Sequence, residues 1–412
     1  MISLVLAASV GAADIDTALN GDVKTFIVAT FPYDSLLMPD GAQGQGIAAA
    51  RAKLKIDFGE SVGFLAHHEL SFASAPARSQ LEVKVEELSG QSIDTGTPSF
   101  GSGVGLEAPE AIPLTWEAVP DDPLAVRGRT DRLVLTGTLG PVDIGVGRQP
   151  VTFGNGMFFT PMDLVAPFNP AVIDQEYKPG VDAARVDVFA GVSGRVTAVA
   201  AYAGDWDLPG TILAVQGQGT VGVTDISGIV AEVRGDHVVG AGVWSSLGPV
   251  GVWADATLTV PYSDHDPFVR GVVGSQFRPT GTTTVAVEGY LQTLGASSPE
   301  GYEQVALSPW VQRGEIWLLA KGYGSVSMSQ EITPLIAANL AAVVNPIDPS
   351  ALLVASAAVS VSESSDLVFG AFYGAGERPS QDAADPLGLL HVLHSEFGLY
   401  PAAAYVEMKA YF

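Results

Sequence analysis

The final stretch, Ala402 to Phe412, alternates without a break. Ala404, Val406, Met408, Ala410 and Phe412 fall on one face, and Tyr405, Glu407, Lys409 and Tyr411 on the other. A period of two is that of a strand. A strand at the end of a chain leaves an edge that something must pair. In a soluble sheet the apolar face needs a packed core and the edge needs a cover. A barrel closed in a membrane meets both needs, because lipid covers the apolar face and the first strand pairs with the last.

Composition agrees with that solution. Only 16% of the 412 residues are charged, against roughly 25% in an average soluble domain, and the mean hydropathy is +0.28. No run of about 18 consecutive apolar residues supplies that hydropathy, which excludes a helical span. A chain apolar in this way and rich in Gly, Val, Ala and Thr fits many short membrane strands. The formal charge of -25 makes nucleic acid an unsuitable partner. The absence of cysteine fits an oxidising envelope compartment. Met1 to Ala12, apolar and ending in small residues, reads as the tail of a secretory signal without its basic region. The expected mature start is near Ala13 or Asp14.

The same alternation recurs along the chain. Arg51, Lys53, Lys55 and Asp57 interleave with Ala52, Leu54, Ile56 and Phe58 in the clearest polar-in, apolar-out strand. Counting such segments from Val23 onward predicts an all-β, antiparallel up-and-down barrel of about 18 strands, with 16 as the second choice. One predicted strand runs from Arg313 to Val326. The expected domain is a single barrel over 14–412, after a residual signal peptide over 1–13. Long loops are expected at 73–130, 149–182, 293–312 and 375–401. All of them follow odd-numbered strands, while the connections after even-numbered strands are short turns such as Gly140-Pro141 and Gly248-Pro249. Long outer loops and short periplasmic turns sort in this way. Tyr202, Trp206, Trp244, Trp253, Tyr262, Phe268, Phe277, Tyr290, Trp317 and Tyr323 lie near strand ends, as interfacial girdles would.

Leu139-Gly-Pro-Val-Asp-Ile-Gly-Val-Gly-Arg-Gln149 is followed by Val151-Thr-Phe-Gly-Asn-Gly-Met-Phe-Phe-Thr-Pro-Met-Asp-Leu-Val-Ala-Pro-Phe-Asn-Pro170. A strand ending in Gly-Arg-Gln, then aromatic-Gly-x-Gly and a Pro-x-Asp-Leu-x-x-Pro-Phe run, resembles porin-like outer-membrane proteins of the alginate-export family. The specific wording spans about Leu139 to Asp187. The resemblance implies an 18-stranded barrel and an arginine-lined, anion-selective pore. A terminal Phe412 after alternating apolar residues also resembles the signal read by the outer-membrane barrel-assembly machinery. The partners implied are the lipid bilayer, lipopolysaccharide, that machinery and a small solute.

A barrel of this width is too wide for side chains to fill, so function belongs on inward faces and on loops folded inside. Strand parity places Arg51, Lys53, Lys55, Arg132, Arg185, Asp187, Arg195, Glu232, Arg234 and Arg270 on the pore wall. Asp57, Glu69, Asp143, Asp255, Glu288, Glu315 and Glu407 are also read as inward. The wall either guides anionic groups or is a ladder of ion pairs, such as Arg185 with Asp187 and Glu232 with Arg234. The loop 149–182 is the expected constriction, with Arg148, Phe153, Phe158, Phe159, Asp163 and Phe168 at the narrowing. Its apolar groups are costly on a cell surface. The alternative places this loop over the rim or against a neighbouring subunit.

Catalytic signals are sparse. No Gly-x-Ser-x-Gly elbow or His-Glu-x-x-His occurs, and no cofactor motif is present. His391, His394 and Glu396 have metal-like spacing without a second ligand motif. The expected function is an outer-membrane, porin-like channel for small polar, saccharide-like or anionic solutes. A surface receptor or adhesin using the acidic loops, an outer-membrane enzyme and a soluble all-β protein are the competing classes.

Overall fold

Hydrogen bonding follows the alternation. The computed structural model describes residues 4–5, 15–35, 37–74, 108–118, 124–167, 177–381 and 391–412. Among them, eighteen long antiparallel strands form one sheet that closes on itself. The first six are β1 (Ile15–Phe31), β2 (Gln43–Phe58), β3 (Val62–Ser74), β4 (Leu124–Leu139), β5 (Val142–Gln149) and β6 (Val181–Ala190). The next six are β7 (Gly194–Tyr202), β8 (Thr211–Val221), β9 (Thr224–Val233), β10 (Asp236–Leu247), β11 (Val250–Val260) and β12 (Phe268–Thr280). The circle is completed by β13 (Thr283–Gln292), β14 (Gly322–Thr333), β15 (Ile336–Asn345), β16 (Ser350–Ser362), β17 (Ser365–Ala375) and β18 (Ala402–Tyr411). Two short strands join the same sheet: Leu4–Val5 on the edge of β1 and Thr115–Ala118 on the edge of β4.

Closure comes from β1 and β18, paired from Asp22 and Tyr411 to Phe31 and Ala402. Gly21 and Phe412 extend the seam with two backbone bonds of 2.9 and 3.0 Å. The Phe412 ring covers Gly21 so closely that a Cβ there would run into it. Along the seam Val23, Ile27, Val406 and Met408 are exposed, while Phe26, Val28, Tyr405 and Glu407 are buried. Exposed Val, Leu and Ile continue round the outside through Leu135, Val146, Leu213, Val230, Val273 and Leu340. An apolar band on this scale is what a hydrocarbon solvent requires.

The connections after even-numbered strands contain two or three residues each. The long ones, 75–123, 150–180, 293–321 and 376–401, all follow odd-numbered strands. The predicted sorting therefore holds, with shifted boundaries. β4 starts at Leu124, inside the expected loop. The expected strand from Arg313 is instead loop as far as residue 321, because Gly314 turns the backbone to φ 70° and the ladder of β14 starts at Gly322. The expected signal segment lies almost wholly outside the described residues.

The girdle reading needs correction. Trp253, Phe268, Tyr290 and Tyr323 are buried inside the barrel. Trp253 shares the parity of Asp255, Phe268 that of Arg270, and Tyr290 that of Glu288, so each faces the lumen with its polar neighbour. Trp244 stands opposite Trp253 in the ladder and takes the same side. Trp317 lies in a loop, with its indole N–H donating to the Pro167 carbonyl. Trp206 and Tyr262, 74% and 81% exposed at the loop rim, do fit an interfacial position.

Candidate functional site

One arc of the inner wall is rich in cations. Arg51 donates from Nη2 to Glu69 at 2.5 Å and to Asp131 at 2.9 Å, while Arg129 Nε lies 2.9 Å from Asp131. Lys53 meets Asp22 at 2.6 Å across the β1–β2 ladder, and Lys55 meets Asp57 at 2.6 Å nearer the turns. Arg132 donates to the backbone carbonyls of Asp131 and Lys178. A bulge makes this clustering possible. His67 faces Arg132 and His68 faces Thr130, so Asp131 is an extra residue in β4. Asp131 and its neighbour Arg132 can therefore both turn inward. Tyr177 lies over the cluster, with its ring 3.7 Å from the Arg51 guanidinium carbon and its hydroxyl 3.1 Å from His67 Nδ1. Among the described residues, the Nε and Nη1 of Arg51 find no hydrogen-bond acceptor.

Further round, Arg185 is bidentate to Asp187 at 2.6 and 3.0 Å, and Thr197 also donates to Asp187. Arg195 reaches Asp187 at 3.9 Å and donates to Gln218. Arg270 is buried and donates to the Glu315 carbonyl. Arg234 follows the end of β9 at φ 52°, with Nη1 donating to Ala203 O and Nε 3.3 Å from Glu315. Glu232 does not join it. It stands in register with the exposed Leu213 and with His237, one position from the buried Val233, so it occupies the outer face. An assumed strand parity running through Arg234 put both residues inside, but the turn at Arg234 breaks that parity.

The opposite arc is covered by the loop 150–167, which lies inside the barrel. Phe153, Met162, Leu164 and Val165 pack on inward residues of β6 to β10, including Val199, Ile212, Ala214 and Ile229. Phe159 stacks on Tyr290 with centroids 5.0 Å apart, and Phe158 packs partly buried against the same cluster. Buried apolar area of this kind stabilises by about 25 cal/mol per Å². Lys178 Nζ donates to both Asp163 oxygens, at 2.7 and 2.6 Å, and the amides of Phe153 and Val165 donate to the same carboxylate. Burial pushes the Asp163 carboxyl up to about 6 despite that cation, and lowers the Lys178 ammonium. Arg148 is 3% exposed and makes five bonds, to both Asp182 oxygens, Glu110 and the carbonyls of Thr130 and Ile112. All five guanidinium N–H groups are thereby used at the foot of the loop. Phe168 lies outside the described residues.

A third assembly gathers the outer loops over β13 to β18. Glu396 accepts from Leu319 N at 3.0 Å, from Asn345 Nδ2 at 3.1 Å and from the Tyr323 hydroxyl. Asp348 accepts from Tyr302, Asn345, Ser350 and the Glu396 amide. Burial, with Asp348 adding to it, raises the Glu396 carboxyl from 4.5 to about 7. Glu396 is thus engaged with the loop amide of Leu319 and with strand residues Tyr323 and Asn345, while His394 Nε2 lies 2.7 Å from Ser380 Oγ. Among the described residues no group of His, Cys, Asp and Glu is placed to hold a metal ion.

No family model and no curated relative matches the sequence. Solved structures do match its shape. Acinetobacter baumannii OccAB2 aligns with a TM-score of 0.57 at 8% identity, over 96% of this chain and 98% of that one. OccAB4 from the same organism gives 0.58 at 7% over the same shares. The fold is that of outer-membrane porins. Pseudomonas aeruginosa OpdK, crystallised with vanillate, aligns at 0.54 with 8% identity over 96% and 98% of the two chains. At these identities the likeness concerns the barrel as a whole and carries no residue-by-residue correspondence. The predicted closed barrel of 18 strands is therefore found, and of the resemblance drawn from the Gly-Arg-Gln segment the porin-like barrel is shown and the alginate-export family is not.

Sequence reasoning missed Arg127, Arg129 and Asp131, because the expected strand began at Arg132. It also missed Lys178 as the partner of Asp163. Alternation of Arg127, Arg129 and Asp131 with Gly128 and Thr130 was the available signal.

Proposed function

We propose that this protein is an outer-membrane channel that conducts small anionic solutes, carboxylates foremost, along the wall formed by β1 to β4. The observation that carries this reading is the convergence of Arg51, Lys53, Arg129 and Arg132 on one arc, facing a barrel interior narrowed from the other side by the loop 150–167. Guanidinium groups present paired donors that fit a carboxylate, and a row of cations spaced along the wall can hand an anion onward. A channel also needs each binding step to be weak enough for release. The paired acids Asp22, Glu69 and Asp131 meet that need by competing with the solute.

The resemblance to the alginate-export family implies a uronate cargo, and a small monocarboxylate presents the same group to the wall. Lipid and lipopolysaccharide are the partners of the apolar outer band. The last strand, ending at Phe412, is the part offered to the assembly machinery. The protein works without catalysis.

Planar-bilayer recording with a salt gradient tests the proposal. The expected result is a measurable conductance with a weak preference for anions, reduced by added acetate or glucuronate. A silent protein, or a firm preference for cations, would overturn it.

A further inference from the structure

We infer that Glu288 is a positioning residue that latches the constriction loop to the wall and so sets the aperture, with Asp255 as its second hook. This rests on the channel reading above for its functional meaning, while the latch itself stands on geometry. Glu288 projects inward from β13 and is 5% exposed. Its Oε1 accepts from Met157 N at 2.7 Å and from Trp253 Nε1 at 2.8 Å. Its Oε2 accepts from Phe158 N at 2.8 Å and Phe159 N at 3.2 Å. Three consecutive peptide N–H groups aimed at one point form an anion-binding concavity. A carboxylate offers about four lone-pair sites, and four donors occupy them. No acceptor capacity remains for a solute.

Asp255, from β11, repeats the device one step earlier in the loop. Its Oδ2 accepts from Asn155 N at 2.5 Å, and its Oδ1 from Asn155 Nδ2 at 2.8 Å. The loop is shaped for this contact. Gly154 sits at φ 96°, and a Cβ there would press on Asp255 Oδ2 at 3.0 Å. Trp253 is held flat against Gly274, where a side chain would collide with the indole. The turn fastened in this way contains Met157, whose side chain is 53% exposed and so open to a label. Elsewhere the loop is held by apolar packing of Phe153, Met162 and Leu164. Loss of Glu288 therefore frees the amides of Met157 and Phe158 from the wall, while Asn155 stays on Asp255 and Phe159 on Tyr290.

The test combines single-channel recording with labelling of a cysteine placed at Met157, which is selective because the chain has no cysteine of its own. Glu288→Ala is expected to raise the conductance and its open-channel noise, and to change the labelling rate of the Met157→Cys background several-fold. Glu288→Gln keeps an acceptor oxygen for part of the N–H set and is expected to stay close to the parent in all three readouts. Should both substitutions shift the anion-to-cation permeability ratio alike and leave noise and labelling unchanged, Glu288 is a solute-facing charge and the latch is overturned. If Glu288→Ala fails to assemble, Asn155→Ala supplies the comparison, since it deletes the side-chain bond to Asp255 and leaves the wall intact. Faster labelling in Asn155→Ala supports the latch, and an unchanged rate overturns it. A silent parent protein sinks the channel reading, while the labelling comparison still decides the latch.

Discussion

The two arcs of the inner wall use charge in opposite ways. On β1 to β4, Arg51, Lys53, Lys55 and Arg129 are held by side-chain carboxylates of the same or a neighbouring strand, and several stay within reach of water, such as Lys53 at 25% and Arg129 at 20% side-chain exposure. On β11 and β13, Asp255 and Glu288 are 2% and 5% exposed and are bound by N–H groups of a loop. A pair of mobile side chains can open to admit a solute anion. A carboxylate sealed by backbone cannot, because the donors are fixed by the chain that carries them. The kind of partner, more than the sign of the charge, separates a conducting surface from a fastening one.

Four changes probe that contrast, beginning with the largest effect. Lys178→Met leaves Asp163 buried without its cation and is expected to cost about 3–5 kcal/mol, with the Lys178→Met, Asp163→Asn double variant recovering most of it. Denaturation in detergent micelles measures both, and equal losses in the single and double variants would place the pair on the conducting side. Next comes Glu396, buried in the assembly of outer loops. Its carboxyl is raised from 4.5 to about 7, so the folded state holds the proton more tightly than the unfolded one. The stabilisation is complete below about 4.5 and is lost as pH rises towards 7, a change on the order of 3 kcal/mol. Thermal unfolding at pH 5 and pH 8 should show this slope, and Glu396→Gln should flatten it.

Arg51→Ala is smaller in stability, about 1–3 kcal/mol for the acceptors it strands, and larger in transport. Reversal potentials are expected to move towards cations, and an unchanged potential would remove Arg51 from the solute path. Lys55→Ala should be the mildest. The pair with Asp57 is open to water and screened, so melting temperature should hold and selectivity should move only slightly.

Much of this was legible in the sequence because a membrane barrel keeps one rule along its whole length. The period of two at Tyr405, Glu407 and Lys409, or at Arg51, Lys53 and Lys55, states both the strand and its inward face. The same rule held information that went unused. If Asp255 faces inward, Trp253 does too, and Tyr290 follows Glu288. Reading aromatics by their nearness to turns overrode parity and sent those rings to the lipid. Other features had no local signal. The bulge at Asp131 shifts parity through its pairing with β3, more than fifty positions upstream. The pairing of Lys178 with Asp163 depends on how a loop folds back, which no periodicity encodes. The pull of the loop inward was inferable from Phe153, Phe158 and Phe159, whereas the carboxylates that receive its amides lie a hundred or more positions downstream.

The extra residue in β4 has a genetic corollary. Insertion or loss of one codon within a stave normally exchanges its water and lipid sides, which a membrane protein does not survive. At Asp131 the ladder already absorbs the odd position, so deleting that codon would leave Arg129 and Arg132 facing as they do and subtract one negative charge from beside them. Lineages of this protein can therefore retune the electrical bias of the basic arc by length change at a single point, without redesigning a strand.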